Sequence, residues 1–376
     1  MRRKALIVGG TWDNEDGFPS GLIVKLSDLV SQRMNSVTTY NGGNYNELPE
    51  ILESAKDFNV VFWFANVFDN SLPKIRDVKS VAPHTLLVTS KRNDFNVNGT
   101  RKYDFEELVQ RALSQKANLC FEFTKIGTCF NTRVFDPLGC LWYDGLNIKE
   151  AVDAAMTRLE YLESVTRNGS VNAGEKITFI PNENDEKFLA FVKQSADTFH
   201  KLMMLPEHVD RFVGNASMRF TKETRCMNGF PYIKKGNTVF ISRRNVDKTG
   251  ITFDDFVPCR LWLDGIWFDD DQKVVYQGEN KPSVDAPVQL RLFRALPHID
   301  YMLHGHCYIT DAPMTSMAIP CGAVEEADEI LSCVDKNADF ITLNLKGHGC
   351  LIMAGANRLD DMFNVKFEVR PIPEIM

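Results

Sequence analysis

The first half of the chain alternates short apolar runs with amphipathic stretches, and this alternation restricts the fold more than any other feature. Residues 60–65 are apolar at every position, as in a strand buried on both faces of a sheet. Similar runs cover residues 5–8, 85–89 and 119–123. Helix-spaced apolar positions occur at residues 20–32, 105–115 and from 148 onward. Repeated β-α units predict an α/β fold with a doubly wound parallel sheet of the flavodoxin or Rossmann type.

The second half has a different, α+β character. A chain of 376 residues is too long for one ordinary core, so two domains are expected. We place the first domain at residues 1–167, a linker rich in Asn at 168–184, and the second domain at 185–376. The second domain is predicted to contain helices at residues 185–205, ended by Pro206, and 286–295, with strands at 238–242 and 259–263.

Composition excludes several classes of partner. The net charge of −7 gives no general support for nucleic-acid binding, and no apolar segment approaches the length of a transmembrane helix. The start of the sequence lacks a signal-peptide core. Nine cysteines without a Cys-x-x-Cys pair suit free thiols in a reducing compartment. We therefore expect a cytoplasmic protein that binds neither nucleic acid nor membrane.

Three of the seven histidines form a candidate metal site, namely His304, His306 and His348. A His-x-His pair at the end of an apolar run directs both rings to one side of a strand, because strand side chains alternate. A third histidine would give the metal three nitrogen ligands and leave its fourth coordination position open, which is typical of catalytic zinc. The neighbouring Cys307 and Cys350 should face away and pack. The alternative is ordinary core or turn histidines, but ligand type and spacing favour the metal.

Five motifs in order resemble the class II aldolase/adducin family, which includes fuculose-phosphate aldolases and ribulose-5-phosphate 4-epimerases. The motifs are residues 214–217, 245–257, 281–287, 304–306 and 348–349, and the resemblance covers roughly residues 185–376. It implies that the three histidines bind Zn²⁺ and that the substrate is a small molecule, in this family a phosphorylated sugar. It also implies a homotetramer. No such resemblance is identified in the first half.

The resemblance implies reversible aldol cleavage of a sugar phosphate or a related hydroxy-carbonyl compound. Zinc would act as a Lewis acid on the charge that the cleavage leaves beside the carbonyl. Two alternatives stay open: 4-epimerisation by the same retro-aldol chemistry, and a non-catalytic scaffold like adducin. The epimerases use a tyrosine from a longer tail, whereas no tyrosine follows Tyr308 here, which favours the aldolase.

Two carboxylates are catalytic candidates by resemblance. Asp285 occupies the position of the aldolases' acid/base glutamate and of the epimerases' aspartate, which can lie against the metal. It could also cap the helix predicted at residues 286–295. Asp328 resembles an epimerase acid/base. It lies in an acidic cluster with Glu325, Glu326 and Glu329 that is more typical of a solvated surface.

The family binds substrate phosphate with backbone amides and hydroxyls, and this cradle is only partly present. Gly214, Asn215 and Ser283 match it. The Thr/Pro-Ser-Gly loop is replaced by Ser-Arg-Arg-Asn at residues 242–245. Arg243 and Arg244 could bind phosphate bidentately or be solvated charges, and the sequence does not decide between these readings.

In the first domain, ligands are expected at the carboxyl ends of the strands. Gly9 and Gly10 lie at such an end, and Lys91 and Arg92 at another. The glycines match neither a dinucleotide fingerprint nor a P-loop, so an ordinary strand-to-helix turn is favoured.

Overall fold

The computed structural model describes residues 3–15, 17–67, 77–166, 169–176, 180–202, 214–220, 237–261 and 273–376. It contains two compact units. The first consists of Met1–Glu163 with Ile372–Met376, and the second of Ser164–Pro371. Among the described residues, no helix is both long and apolar enough to cross a bilayer.

The elements of the first unit begin with a long strand and end with a long helix. In chain order they are β1 (Lys4–Asp13), α1 (Gly21–Ser31), β2 (Ser36–Asn44), α2 (Leu48–Ser54), β3 (Val60–Trp63), β4 (Asn66–Val67), α3 (Val78–Val81), β5 (Leu86–Arg92), α4 (Phe105–Ser114), β6 (Leu119–Ile126), β7 (Cys129–Phe135), β8 (Cys140–Gly145) and α5 (Ile148–Ser164).

The second unit follows, and the last short strand returns to the first. In chain order the elements are β9 (Gly169–Asn172), α6 (Glu183–Leu202), β10 (Asn215–Arg219), β11 (Thr238–Ser242), β12 (Phe256–Arg260), β13 (Lys273–Tyr276), α7 (Ala286–Ala295), β14 (Tyr301–Gly305), β15 (Tyr308–Ile309), α8 (Glu325–Cys333), β16 (Phe340–Leu345), β17 (Gly349–Ala354), α9 (Leu359–Met362), β18 (Phe367–Glu368) and β19 (Glu374–Ile375).

The sheet of the first unit has the order β19-β8-β7-β6-β5-β3-β1-β2, with β4 added to β1. Strands β2, β1, β3, β5 and β6 are parallel, in the flavodoxin-like order. Alternate residues of β1 reach opposite cores: Ile7 packs in the cluster with α1 and α5, and Leu6 in the cluster with α2 and α3. The predicted doubly wound α/β fold is confirmed.

Five strands of this sheet, namely β2, β4, β7, β8 and β19, were not predicted. Strand β2 lies at the edge and is half exposed, so its residues lack an apolar run. Strand β7 pairs antiparallel with β6, and β8 pairs antiparallel with β7. Their apolar residues are interrupted by polar ones, and backbone pairing rather than apolar periodicity defines them.

The sheet of the second unit has the order β16-β17-β14-β10-β11-β12-β13-β9. Helices α7 and α8 pack on one face, and α6 and α9 on the other. The side chains of β11 alternate between these faces, with Val239 and Ile241 towards α7 and Phe240 towards α6. A sheet with both faces covered buries its central strands and holds their ends in fixed positions.

Several predicted elements of the second unit agree with the structure, and the linker differs. The predicted helix 286–295 and strand 238–242 have the observed bounds of α7 and β11. Helix α6 begins at Glu183, two residues before the predicted start at residue 185. Pro206 and residues 262–263 lie outside the described residues. Within the predicted linker, β9 instead pairs with β13, and residues 372–376 join the first unit rather than the second.

Candidate metal centre

The structure brings His304, His306 and His348 together. His304 lies near the end of β14 and His306 directly after it, whereas His348 lies in the turn between β16 and β17. Because β14 pairs with β17, the two histidine motifs become neighbours. The ring centroids are 5.1, 4.6 and 5.1 Å apart, and one nitrogen of each ring lies within 4.8 Å of the others. Three imidazole nitrogens therefore lie close enough to share one metal ion.

Glycines beside the histidines allow this close approach. A Cβ atom on Gly349 would lie 2.0 Å from the Gly305 carbonyl oxygen, and one on Gly305 would lie 2.5 Å from the Phe199 ring. The backbones of β14 and β17 thus meet without intervening side chains. Cys307 and Cys350 are buried in the apolar cluster around α6, as expected for packing residues.

Two of the histidines are oriented by their Nδ1 atoms. His304 Nδ1 donates to the Cys350 carbonyl oxygen over 2.9 Å, and His348 Nδ1 to Glu326 Oε1 over 2.8 Å. The Nε2 atoms of both rings are buried and have no hydrogen-bond partner among the described residues. A buried polar atom without a partner is costly, and a bound cation would satisfy both nitrogens.

The environment sets the charge of these rings. Burial lowers the pKa of His304 to about 4 and moves the pKa of His306 well below its ordinary value. Burial also acts to lower the pKa of His348, but the adjacent Glu326 carboxylate outweighs it and the net shift is upward. Two of the three imidazoles are therefore neutral at neutral pH, the form that binds a metal.

Asp285 lies beside this cluster, just before α7. Its side chain makes no capping hydrogen bond to that helix. Instead Oδ2 accepts from Asn215 Nδ2 over 2.7 Å, and Oδ1 accepts from Cys321 Sγ over 2.9 Å. Asp285, Cys321 and His348 form a second group whose ligand atoms lie within 4.8 Å of one another. The carboxylate is thus held towards the histidines rather than towards the helix end.

The acidic cluster on α8 is divided between two environments. Asp328 points outward, with 55% of its side chain exposed, and pairs with Arg291 over 2.8 Å. Glu326 is only 4% exposed, so the expectation of a solvated surface is wrong for this residue. Burial raises its pKa, opposed by His348. The helical spacing of Glu326 with buried Ala327 and Ile330 was the available signal.

Gly214 and Asn215 support the histidine strand. Gly214 has φ +82°, and a Cβ atom there would lie 2.5 Å from the His304 carbonyl oxygen. Asn215 pairs with His304 in register, and its buried side chain contacts Asp285 and Gln289. Ser283 donates its backbone N–H to the Ser242 carbonyl oxygen over 3.0 Å. Gly214 and Asn215 thus lie against His304, whereas the bond of Ser283 joins it to Ser242.

Arg243 and Arg244 are engaged within the protein. Arg243 Nε donates to Asp255 Oδ1 over 2.8 Å, and Arg244 Nε donates to the Pro282 carbonyl oxygen over 3.1 Å. Asn245 has φ +56°, so it adopts the left-handed conformation at the position where the family has glycine. The loop backbone is therefore compatible with the family pattern although its side chains differ.

Two other cations act on the histidines, and sequence reasoning missed both. Lys248 and Arg370 are each 4% exposed, and their charges lower the pKa of His306. Lys248 Nζ donates to the Val246 carbonyl oxygen over 3.3 Å, a long bond for a buried ammonium. Burial lowers the pKa of Lys248 to about 8. Neither cation lies in an apolar pattern that would have revealed its burial.

A small cavity of about 20 Å³ adjoins the site between α7, α8 and the sheet. Its polar lining consists of Asn215, Asp285, Gln289, His304, Glu326 and His348. This volume is enough for about one water molecule. The two buried carboxylates and two of the histidines therefore share one confined polar space.

The glycine turn of the first unit has an ordinary structural role. Gly10 has φ +74°, and a Cβ atom there would lie 2.5 Å from the Gly42 backbone nitrogen. Lys91 Nζ lies 4.7 Å from the Tyr103 ring centroid, and Arg92 pairs with Asp94. The Gly10 backbone is thus closely packed, and Lys91 and Arg92 each have a neighbour within the protein.

Residues 193–352 match the Class II Aldolase and Adducin N-terminal domain. No curated protein matches the chain. An L-fuculose 1-phosphate aldolase structure is 16% identical, covering 46% of this chain and 82% of its own, with a TM-score of 0.28. The N-terminal class II aldolase domain of a conserved protein from Thermoplasma acidophilum is 18% identical, with 50% and 91% covered and a TM-score of 0.32.

A third solved structure is also similar to part of this chain. The DNA/pantothenate metabolism flavoprotein from Streptococcus pneumoniae is 11% identical, covering 44% of this chain and all of its own, with a TM-score of 0.34. These low TM-scores carry no functional argument, so the assignment depends on the matched family and on the motifs from Gly214 to His348. The C-terminal half of this chain therefore carries a domain of the class II aldolase and adducin family.

Proposed function

We propose that the chain is a metal-dependent, class II aldolase-like enzyme that reversibly cleaves a small hydroxy-carbonyl compound, with Zn²⁺ as its metal. The observation that carries this proposal is the convergence of His304 Nε2 and His348 Nε2, both buried and without a partner among the described residues, beside His306. Three imidazole nitrogens fit zinc and leave it an open position. When bound, the metal would supply Lewis-acid stabilisation of charge beside the substrate carbonyl.

Asp285 is the proposed acid/base residue. Aldol cleavage requires a group that takes the proton from the hydroxyl at the bond being broken and returns it in the reverse direction. Asp285 is buried near the histidines, and Asn215 and Cys321 hold one carboxylate oxygen each. This fixed orientation suits proton transfer at a defined substrate oxygen. Asp328, in its exposed ion pair with Arg291, is less suited.

The buried cations favour a substrate with an anionic group, such as a sugar phosphate. Lys248 acts on the histidine cluster, whereas Arg243 and Arg244 are bonded to Asp255 and to the Pro282 carbonyl oxygen. A buried ammonium is stabilised when it gains an anionic partner. We therefore propose that Lys248 contacts the substrate anion, together with backbone groups near Gly214 and Ser283.

A 4-epimerase is the second candidate, because one observation favours it. The Asp285 carboxylate, one methylene shorter than the glutamate of aldolases, lies with Cys321 and His348 in a second potential ligand group. A carboxylate against the metal would suit the epimerase arrangement. On the family resemblance alone we also propose a homotetramer. We propose a cytoplasmic location because nine cysteines without a Cys-x-x-Cys pair suit a reducing compartment. A non-catalytic scaffold is the outcome if no metal binds.

The first test is the metal content of the purified protein. We expect about one zinc per chain, lost in the His304→Ala/His306→Ala variant and kept in His200→Ala, an exposed histidine of the same unit. Asp285→Ala should then lose about 10²–10⁴-fold in turnover of a sugar phosphate while keeping zinc. Zinc loss in Asp285→Ala would assign a ligand role instead. No metal, even after zinc is supplied, would refute the proposed enzyme.

A further inference from the structure

We propose that Glu326 is a positioning residue that holds His348 in the Nδ1–H tautomer, so that His348 presents Nε2 to the metal. This inference rests on the proposed metal site. The carboxylate accepts from His348 Nδ1 over 2.8 Å, and the side chains of Glu326 and His348 are 5% and 2% exposed. Water therefore cannot substitute for either partner without a change in packing.

The tautomer follows from the chemistry of the pair. A neutral imidazole has one N–H donor and one nitrogen with a free lone pair, and the hydrogen bond made by one nitrogen decides the role of the other. An ionised carboxylate only accepts, so the proton must lie on Nδ1. The lone pair then lies on Nε2, the atom that has no partner among the described residues. A carboxylate behind the ring also raises its basicity as a ligand.

His348 depends on a side chain in a way that His304 does not. His304 Nδ1 donates to a backbone carbonyl, that of Cys350, which no single substitution of that residue's side chain removes. The partner of His348 comes from another element, α8, where the buried Ala327 and Ile330 anchor the helix in the core. Glu326 is thus the point where a distant helix controls the geometry of a candidate metal ligand.

The neighbouring Glu325 provides a matched control. It lies in the same helical turn and also accepts hydrogen bonds, from the backbone N–H and the hydroxyl of Thr166 over 2.9 and 2.7 Å. Its replacement by glutamine removes the same charge and disturbs a similar carboxylate, but it leaves the histidine partner intact. A general effect of charge removal on α8 would therefore appear in both Glu325→Gln and Glu326→Gln, whereas an effect specific to the histidine partner would appear only in variants of Glu326.

The experiment measures two properties of the whole chain. The first is the tautomer of His348 in metal-free protein, read from its imidazole ¹⁵N shifts at a pH where the ring is neutral. The second is zinc affinity, measured by competition with a chelator. We expect Nδ1–H in the wild type and in Glu325→Gln. Glu326→Ala should shift the ring towards Nε2–H and weaken zinc binding about 10–100-fold.

Glu326→Gln separates orientation from charge and protects the test against misfolding. Its amide oxygen can still accept from Nδ1, so we expect the tautomer to persist and the affinity loss to be smaller than in Glu326→Ala. An unchanged tautomer and unchanged zinc affinity in folded Glu326→Ala would overturn the inference. If the wild type binds no zinc, the proposed function fails, and the tautomer in the metal-free protein then still decides whether Glu326 orients His348.

Discussion

Replacing Gly349 by alanine should separate the two histidine motifs without unfolding the protein. The new Cβ atom would lie 2.0 Å from the Gly305 carbonyl oxygen and 2.9 Å from the His306 Cα atom, whereas ordinary contacts begin near 3.4 Å. Both neighbours are backbone atoms, so no side-chain rotation can relieve the overlap. Strand β17 must therefore move away from the end of β14, which carries His304.

The size of this movement decides its effect. A carbon–oxygen contact 2.0 Å long must lengthen by roughly 1.4 Å to reach ordinary distance. Metal–ligand distances tolerate only about 0.2 Å, so a shift of this size is incompatible with tight binding by all three histidines. Overpacking of a core costs about 1–3 kcal/mol, which is less than the typical stability of a folded domain, about 5–15 kcal/mol.

We therefore expect Gly349→Ala to remain folded, to lose about 1–3 kcal/mol of unfolding free energy and to weaken zinc binding by at least tenfold. Urea denaturation and chelator competition measure the two effects. Gly169→Ala is the matched control, because a Cβ atom on this glycine of the same sheet meets nothing within 4 Å. Wild-type zinc affinity and stability in Gly349→Ala would refute the described packing of β14 on β17.

Three further predictions concern charged or strained residues. Burial lowers the pKa of Lys248 from 10.5 to about 8, so its charge costs about 3 kcal/mol of folding free energy below pH 8. Lys248→Met should therefore raise the free energy of unfolding at pH 7, and this gain should shrink between pH 8 and 10.5. The same variant should raise KM for an anionic substrate. The φ of +56° at Asn245 predicts that Asn245→Ala costs about 1 kcal/mol in urea denaturation and Asn245→Gly almost nothing. Buried Glu122 faces Arg101 and Arg133 at 3.5 Å each; because both arginines retain some exposure, Glu122→Ala should lose about 1–3 kcal/mol, and an unchanged unfolding curve would contradict the pairing.

The local sequence pattern was sufficient to predict a residue's role wherever that role depends on near neighbours in the chain. The apolar runs of β1, β3 and β6 predicted a parallel sheet, because a strand covered on both faces has few polar positions. The bounds of helix α7 also agreed with the structure, because the helical spacing of apolar residues is likewise a local pattern. The two histidine motifs indicated one metal centre, since the chemistry of three such nitrogens is readable without knowing the path of the chain between them.

Long-range packing decided the rest. Glu326 is identical in type to Glu325, but the return of His348 to α8 makes Glu326 a buried partner of that histidine, whereas Glu325 contacts Thr166. Lys248 is likewise buried, and the charge of Asp285, distant in sequence, acts on it. The sequence by itself thus determined the α/β character, the family of the C-terminal half and the candidate ligands, whereas tertiary structure decided which charges face them. The physical reason is that the free energy of a buried charge depends on partners that a linear pattern does not specify.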